Sequence, residues 1–284
     1  MAKGVLLKEK DAFNMSYVLF TSFGGAIVID GGRREDMPLL KEVVKDAPIK
    51  AWILTHPHDD HIDGFVSLYE GNDVPFDIER VIFNFPDYDS LMKVENPPDP
   101  DYFHRELNEM LPRFNSIKWR FAEKTTILKQ GDCFNIDDLH FECLYSIHEG
   151  LYDNLDNDSS LVIKVKGPKK DILFLGDLGP IGGDYLLFEN GDKLHSYYCQ
   201  MAHHGHMGVS FEVYRKIQPT IALWNAPKWL YDEEEKPVYL KDKGYLVLES
   251  RLRMHGEKVT REWMELLGVK ENHVSYQGNY EFEL

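Results

Sequence analysis

Short apolar runs alternate with stretches of helical periodicity along most of this chain, which predicts a fold that mixes strands and helices. Several of the strand-like runs end in Asp or His. The predicted strands cover 16–20, 26–30, 49–54, 81–86, 139–145, 159–165, 171–175 and 220–224, and the predicted helices cover 37–44, 62–69, 211–217, 246–254 and 261–267. The stretch 119–147 reads as antiparallel strands, and 273–283 reads as a closing hairpin around 277–279.

The densest group of metal-binding residue types lies between the apolar run 49–54 and a helical pattern. His56 and His58 are two residues apart, so on an extended segment both imidazoles point to the same side. Asp60 and His61 follow the turn and face a second point. Imidazole nitrogens and carboxylate oxygens are ligands of zinc, iron and manganese. This spacing predicts two adjacent metal ions whose remaining ligands come from elsewhere in the chain.

The sequence HPHDDH at 56–61 resembles the HxHxDH signature of the metallo-β-lactamase superfamily. This resemblance implies an α/β fold built as a four-layered αββα sandwich. It covers almost the whole chain, so residues 1–284 are predicted to form a single domain of this kind. The least matched part lies near 88–113, where a proline-rich loop and an amphipathic pattern predict an insertion over the site, with a helix that packs on the core as the simpler alternative.

The resemblance also suggests roles for residues at other strand ends. Asp30, in a D-G-G turn, is similar to a carboxylate that supports a metal-bound histidine, although turn chemistry alone would also select this sequence. His148 corresponds to a third histidine for the first metal, with the mid-strand His140 as its competitor. Asp177 follows a buried apolar run, where a carboxylate is costly unless it is paired or metal-bound, and it corresponds to the bridging ligand.

Three further segments, NDSSLVI, LGD and MAHHG, resemble the ComEC-type (competence protein) branch of the superfamily. On this resemblance His203 is the last ligand of the second metal and His204 is a neighbour that touches substrate, although their order could be reversed. His206 and Asn157 are candidate residues of the substrate pocket.

This ligand set implies a metal-dependent hydrolase whose nucleophile is a hydroxide bound between two divalent ions. Zinc is the favoured metal, with manganese and iron as alternatives. Asp60, Asp177 and His204 would carry the catalysis. A small phosphoester, such as a phosphodiester or a phosphorylcholine-like compound, is the favoured substrate, and a lactone, thioester or amide is the alternative. Two other classes fit less well: a flavodiiron-like redox protein, and a non-catalytic metal-binding module.

Composition narrows the choice of partner and compartment. The formal net charge is −16 and adjacent basic pairs are few, which disfavours binding to extended nucleic acids and favours a small-molecule substrate. The three cysteines lack C-x-x-C spacing, and the first residues lack the apolar core of a secretory signal. We therefore expect a cytoplasmic protein with free thiols and without a membrane span. The oligomeric state stays open.

Overall fold

The computed structural model describes residues 1–71, 74–93, 106–148, 155–232 and 255–284. Its strands form two seven-stranded sheets, with strand order β14-β1-β2-β3-β4-β5-β6 in the first and β13-β12-β11-β10-β9-β8-β7 in the second. The strands are β1 Lys3–Leu6, β2 Ser16–Phe20, β3 Ala26–Asp30, β4 Ile49–Ile53, β5 Val81–Phe83, β6 Thr125–Ile127, β7 Cys133–Ile136, β8 Leu139–Tyr145, β9 Val162–Lys166, β10 Asp171–Phe174, β11 Tyr198–Gln200, β12 Ile221–Trp224, β13 Glu271–Val274 and β14 Tyr280–Glu283.

Helices connect these strands and cover the outer faces of both sheets. The α-helices in the described residues are α1 Met37–Val44, α2 Asp59–Glu70, α3 Tyr88–Leu91, α4 Leu111–Ile117, α5 Leu155–Asp158, α6 Pro180–Asn190, α7 Phe211–Ile217, α8 Lys228–Tyr231 and α9 Glu257–Leu266. A π-helical turn, Glu106–Met110, precedes α4.

Both sheets are mixed in the same way. In the first sheet, β14, β1, β2 and β3 pair antiparallel, whereas β3, β4, β5 and β6 pair parallel. In the second sheet, β7 to β10 pair antiparallel, and β10 to β13 pair parallel. The parallel halves therefore bring the carboxyl ends of several strands to one edge, a common position for sites in α/β proteins.

Side-chain alternation explains the layers. In β2, Tyr17 and Leu19 belong to a buried cluster that also contains Phe141 and Phe174 from the second sheet. Val18, between them, belongs to another cluster that contains Phe65 of α2. A third cluster joins the outer face of the second sheet to helices α6, α7 and α9. Alternate side chains of the strands thus fill the space between the two sheets and the space between each sheet and its helices. This gives the predicted αββα sandwich.

Most predicted elements are confirmed, but two pairings are wrong. The segment 273–283 is not a hairpin, because β13 pairs with β12 in the second sheet while β14 pairs with β1 in the first. The short 3₁₀ turn between them ends at Gly278, whose φ of 129° lets the chain pass from one sheet to the other. Likewise β6 pairs with β5 in the first sheet instead of with β7.

Some sequence predictions lie outside the described residues. The predicted helix 246–254 belongs to the undescribed range 233–254, and residues 94–105 of the predicted insertion near 88–113 are also undescribed. The described parts of that insertion are α3, the π-helical turn and the start of α4. The single-domain assignment stays a prediction. In the portion of the chain that is described, no helix has the length and apolarity that crossing a membrane requires.

Candidate metal centre

The site is built where three strands end. β4 leads to His56 and His58, β10 leads to Asp177, and β11 leads to the segment that carries His204. Helix α2 begins at Asp59, and the residue before it, His58, still has extended backbone (φ −83°, ψ 153°). The two histidines therefore lie on extended chain while Asp60 and His61 lie in the first helical turn, as the sequence predicts.

Among the described residues, two buried groups place their potential ligand atoms within 4.8 Å of one another. The first group is His56, His58 and Asp177, and the second is Asp60, His61, Asp177 and His204. Asp177 belongs to both groups, so its carboxylate lies between two potential cation positions. This arrangement can hold a dinuclear metal site.

The distances inside the second group fit ligation of a single ion. Two donor atoms that bind one zinc ion at about 2.1 Å lie about 3.0–3.5 Å from each other. His61 Nε2 lies 3.2 Å from Asp177 Oδ1 and 3.7 Å from Asp60 Oδ2. His204 Nε2 lies 2.8 Å from Asp60 Oδ2 and 3.4 Å from Asp177 Oδ2. In the first group, His56 Nε2 lies 3.8 Å from Asp177 Oδ2.

Asp30 orients the site from behind, as the resemblance suggested. Its carboxylate accepts hydrogen bonds from the Thr55 backbone N–H (2.7 Å) and the Thr55 hydroxyl (2.8 Å), and it lies 2.8 Å from Nδ1 of His61. A proton on Nδ1 leaves the lone pair of His61 on Nε2, the nitrogen that faces Asp60 and Asp177. The carboxylate thus orients the ring of His61 with Nε2 toward Asp60 and Asp177.

The electrostatics of the centre favour a bound cation. Burial raises the pKa of Asp177, but the neighbouring His61 and His204 outweigh this effect and hold it well below its usual range. Burial also lowers the pKa of His56 well below its ordinary value, so its imidazole is neutral and can donate a lone pair. Metal ligation requires anionic carboxylates and neutral imidazoles, so a cation would displace the protons that the carboxylates favour on His61 and His204, whose pKa values they raise.

Unpartnered buried atoms support the same conclusion. His56 Nε2, His61 Nε2 and Asp177 Oδ1 are buried and have no hydrogen-bond partner in the described part of the chain. Such groups cost free energy unless something compensates them. Because these three atoms belong to the two donor groups, a pair of divalent cations fits the residues present.

The structure does not bring His148 into either group, in contrast to the sequence prediction. β8 ends at Tyr145, and His148 then stacks against the rings of Tyr145 and Tyr185 (centroids 5.0 and 5.1 Å). Its Nε2 lies 3.4 Å from Glu189 and 3.2 Å from the Gln130 side chain. His140, the competitor, lies beside Asn135 in the β7–β8 ladder. Within the described residues, the first group thus contains His56 and His58 as its histidines and does not include a third.

His204, and not His203, joins the second group. Both residues have left-handed backbone, with φ of 51° at His203 and 58° at His204, which reverses the chain after β11. His204 Nδ1 lies 2.7 Å from the carbonyl oxygen of Asn225, and its Nε2 faces Asp60 and Asp177. His203 Nε2 is 3.7 Å from Asp177, and its side chain is 14% exposed. The reversed order left open by the sequence is the one that the geometry favours.

The residues predicted for the substrate pocket also lie near the centre. The His206 ring stacks on Phe13 (centroids 5.8 Å apart) and lies 4.8 Å from the ring of His203. Asn157 lies in α5 beside Asp156, whose Oδ2 is 3.1 Å from Nε2 of His58. The sequence analysis named Asn157 in this segment and gave no role to Asp156. The signal was present, because acidic residues cluster just before the buried strand β9.

The stability of the metal-free protein should depend on pH through His204. Burial lowers the pKa of His204, but the carboxylates of Asp177 and Asp60 outweigh this effect and raise the pKa to about 10. The unfolded value is about 6.5, so the charged imidazole stabilises the fold fully below that pH and this contribution is lost as pH rises toward 10. We expect the melting temperature of chelator-treated wild type to fall over this interval relative to His204→Gln. Parallel profiles would contradict this prediction.

Comparison with known proteins agrees with this geometry. Residues 11–127 match the family model of the metallo-β-lactamase superfamily. The metallo-β-lactamase fold protein YhfI from Bacillus subtilis is 10% identical, with a TM-score of 0.55 over 99% of both chains. CmlA, a diiron β-hydroxylase from Streptomyces venezuelae, is 10% identical with a TM-score of 0.53 over 100% of this chain and 54% of its own.

A third similar structure is Zn²⁺-bound PqqB from Methylobacterium extorquens, 11% identical with a TM-score of 0.50 over 95% of this chain and 87% of its own. No curated protein sequence matches the chain. At these identities the similar structures show that the fold is shared, and they do not identify the activity. The ComEC-type resemblance stays a prediction. The chain has the metallo-β-lactamase fold, and its match over 11–127 supports a place in that superfamily.

Proposed function

We propose that this protein is a metal-dependent hydrolase that cleaves a small phosphoester at a dinuclear centre. The observation that carries the proposal is the sharing of Asp177 by two buried donor groups. His56, His58 and Asp177 would hold one divalent cation, and Asp60, His61, Asp177 and His204 would hold the other. When bound, such a pair supplies a water with a pKa of about 7 as the nucleophile and stabilises charge on the substrate oxygens.

Zinc is the metal we propose, on the chemistry of the donors. The groups offer four imidazoles and two carboxylates, and no cysteine belongs to them. This nitrogen-rich set suits zinc, and it also accepts iron or manganese. Elemental analysis of protein reconstituted with each metal in turn would decide between them.

The surroundings of the second group would bind the substrate. Burial lowers the pKa of His203 to about 4 and that of His206 well below its usual value, so both rings are neutral. Their Nδ1 atoms are buried, and no described residue forms a hydrogen bond with them. A neutral imidazole can donate its N–H to a phosphoryl oxygen. Phe13, tilted over His204 at 4.7 Å, provides an apolar wall for the organic part of the substrate.

A phosphoester fits this centre better than an acyl compound. A dinuclear site can stabilise both the attacking and the leaving oxygen of an in-line displacement at phosphorus. The two groups share a single carboxylate, so the cations would lie close enough to contact one phosphoryl group. A lactone, thioester or amide remains the alternative substrate for the same residues. If the metal-loaded protein turned over none of these compounds, a non-catalytic metal-binding module would be favoured.

The substrate class can be tested with a panel. Protein reconstituted with zinc should bind close to two ions per chain and hydrolyse bis-p-nitrophenyl phosphate or a phosphorylcholine ester. We expect kcat/KM on the phosphoesters to exceed that on matched lactones, thioesters and amides by about tenfold or more. Chelator should abolish turnover, and added zinc should restore it. Higher kcat/KM on an acyl substrate would contradict the phosphoester assignment, and no turnover with two ions bound would contradict hydrolysis.

A further inference from the structure

A buried carboxylate outside both donor groups contacts one of the histidines. Asp156 Oδ2 lies 3.1 Å from Nε2 of His58, and both side chains are at least nine-tenths buried. The other oxygen of Asp156, Oδ1, is buried and has no hydrogen-bond partner among the residues that the structure describes. A buried carboxylate with only one oxygen engaged is costly, so it needs a compensating interaction at this position.

The contact resembles the one that Asp30 makes with His61, but it uses the opposite ring nitrogen. Asp30 lies 2.8 Å from Nδ1 of His61, while Nε2 of that ring faces the second donor group. Asp156 instead lies against Nε2 of His58. A proton on Nε2 would leave the lone pair of His58 on Nδ1.

The position of Asp156 relative to the first group favours this reading over direct ligation. His58 shares the first group with His56 and Asp177, all with ligand atoms within 4.8 Å, whereas Asp156 is not a member. A carboxylate that lies outside the donor group and contacts Nε2 of one of its members suits an orienting partner, and it leaves Nδ1 of His58 as the nitrogen available to a cation.

Short hydrogen bonds hold this part of the chain in place. The Ser159 hydroxyl donates to the carbonyl oxygen of Asp156 (2.7 Å), and Asp158 Oδ1 accepts from the backbone N–H groups of Gly179 (2.9 Å) and Gly182 (3.2 Å). The Ser160 hydroxyl accepts from the backbone N–H of Asp177 (3.0 Å). One short segment thus positions both the bridging carboxylate and Asp156.

We propose that Asp156 is a positioning residue that holds the proton of His58 on Nε2 and so directs Nδ1 to the first metal ion. This inference rests on the dinuclear centre of the proposed function. With the cation bound to Nδ1, the Nε2–H bond is more polarised and its hydrogen bond to the carboxylate is stronger. Asp156 and Asp30 then fix two ligand histidines in opposite tautomers, one for each metal ion.

Metal titration of variants tests this role without relying on activity. In wild type, Asp156→Ala, Asp156→Asn and Asp30→Asn, uptake of Co²⁺ would be followed by calorimetry and visible absorption. We expect Asp156→Ala to weaken the binding of one of the two ions by about 10–100-fold and to leave the affinity for the other unchanged. Asp156→Asn should restore most of this affinity, because its amide oxygen still accepts from Nε2–H. Asp30→Asn should weaken the binding of the other ion, the one whose affinity Asp156→Ala leaves unchanged.

Nitrogen-15 spectra of the zinc-loaded protein give a direct readout. The shifts of His58 should show a proton on Nε2 and zinc on Nδ1, and those of His61 the reverse. Zinc on Nε2 of His58, or an Asp156→Asn variant as defective as Asp156→Ala, would overturn the proposal in favour of direct ligation. Unchanged affinity in Asp156→Ala would overturn it outright. Wild type that binds both ions but hydrolyses nothing would overturn the proposed function alone.

Discussion

Replacing Asp177 with alanine is expected to remove both metal ions and to reduce phosphoester hydrolysis by about 1,000-fold or more. The carboxylate is the one group that belongs to both donor sets. Its loss leaves the first set with only two imidazoles, and it leaves the second without the oxygen that lies 3.2 Å from His61 Nε2. The first set then falls below the three protein ligands of a catalytic zinc site, and the second keeps three ligands but loses one of its two anionic charges.

The electrostatic consequence acts in the same direction. Asp177 raises the pKa of His61 and of His204 against the effect of burial. Without this charge the centre offsets less of the charge of two dications, and both imidazoles lose one of the carboxylates beside them. Asp177→Asn keeps the shape of the side chain and removes only the charge. It should therefore resemble the alanine variant in metal content, while it keeps more of the stability of the fold.

The measurement is the number of metal ions per chain together with kcat/KM. Asp192→Asn provides a matched control, because it makes the same chemical change at a fully exposed carboxylate. That variant should retain both ions and wild-type turnover. If Asp177→Ala still bound two ions, the bridging role assigned to the Asp177 carboxylate would be wrong. If it lost metal and kept activity, the hydrolytic role of the centre would be wrong.

The local parts of this site could be predicted because nearby residues determine them. In HPHDDH the strand ends before His56 and the helix begins at Asp59. The local backbone therefore directs the two histidines on extended chain to one point and the side chains of the first helical turn to another. The apolar runs at 16–20 and 26–30 likewise predicted the strands β2 and β3. Both features are set within a few residues, and packing against other elements does not change them.

Features that depend on distant contacts were harder to predict. The alternation at 273–283 matches a hairpin equally well, and only the partners β12 and β1 separate β13 from β14. His148 follows a strand as a metal ligand would, but its ring stacks on Tyr145 and Tyr185. Asp156 became apparent only when the fold placed it beside His58, which is 98 residues away in sequence.

The order of His203 and His204 shows how backbone conformation decides a role. Sequence pattern offers two adjacent histidines after a strand and cannot separate them. Positive φ at both residues reverses the chain, so that the two rings diverge, with centroids 6.1 Å apart. Asn225 fixes the orientation of His204 through its carbonyl oxygen, and this contact comes from the loop after β12.

Substituting each of these two histidines in turn is expected to have different consequences. His204→Ala should lose one metal ion and reduce kcat by about 100-fold or more, because its Nε2 is within 3.4 Å of both carboxylates of the second set. His203→Ala should retain both ions, because His203 belongs to neither donor group. Its loss removes a substrate contact, so KM should rise about tenfold with kcat less affected.

Metal analysis and steady-state kinetics on the same preparations separate these outcomes. The two substitutions are chemically identical and one residue apart, so each serves as the control for the other. A His203→Ala protein with one ion and a His204→Ala protein with two would restore the order that the sequence pattern first suggested. Equal defects in both would mean that the reversed backbone after β11, and not either ring, is what the centre requires. The present geometry predicts neither result, because only His204 has its Nε2 directed at Asp60 and Asp177 while its Nδ1 is held by a backbone carbonyl.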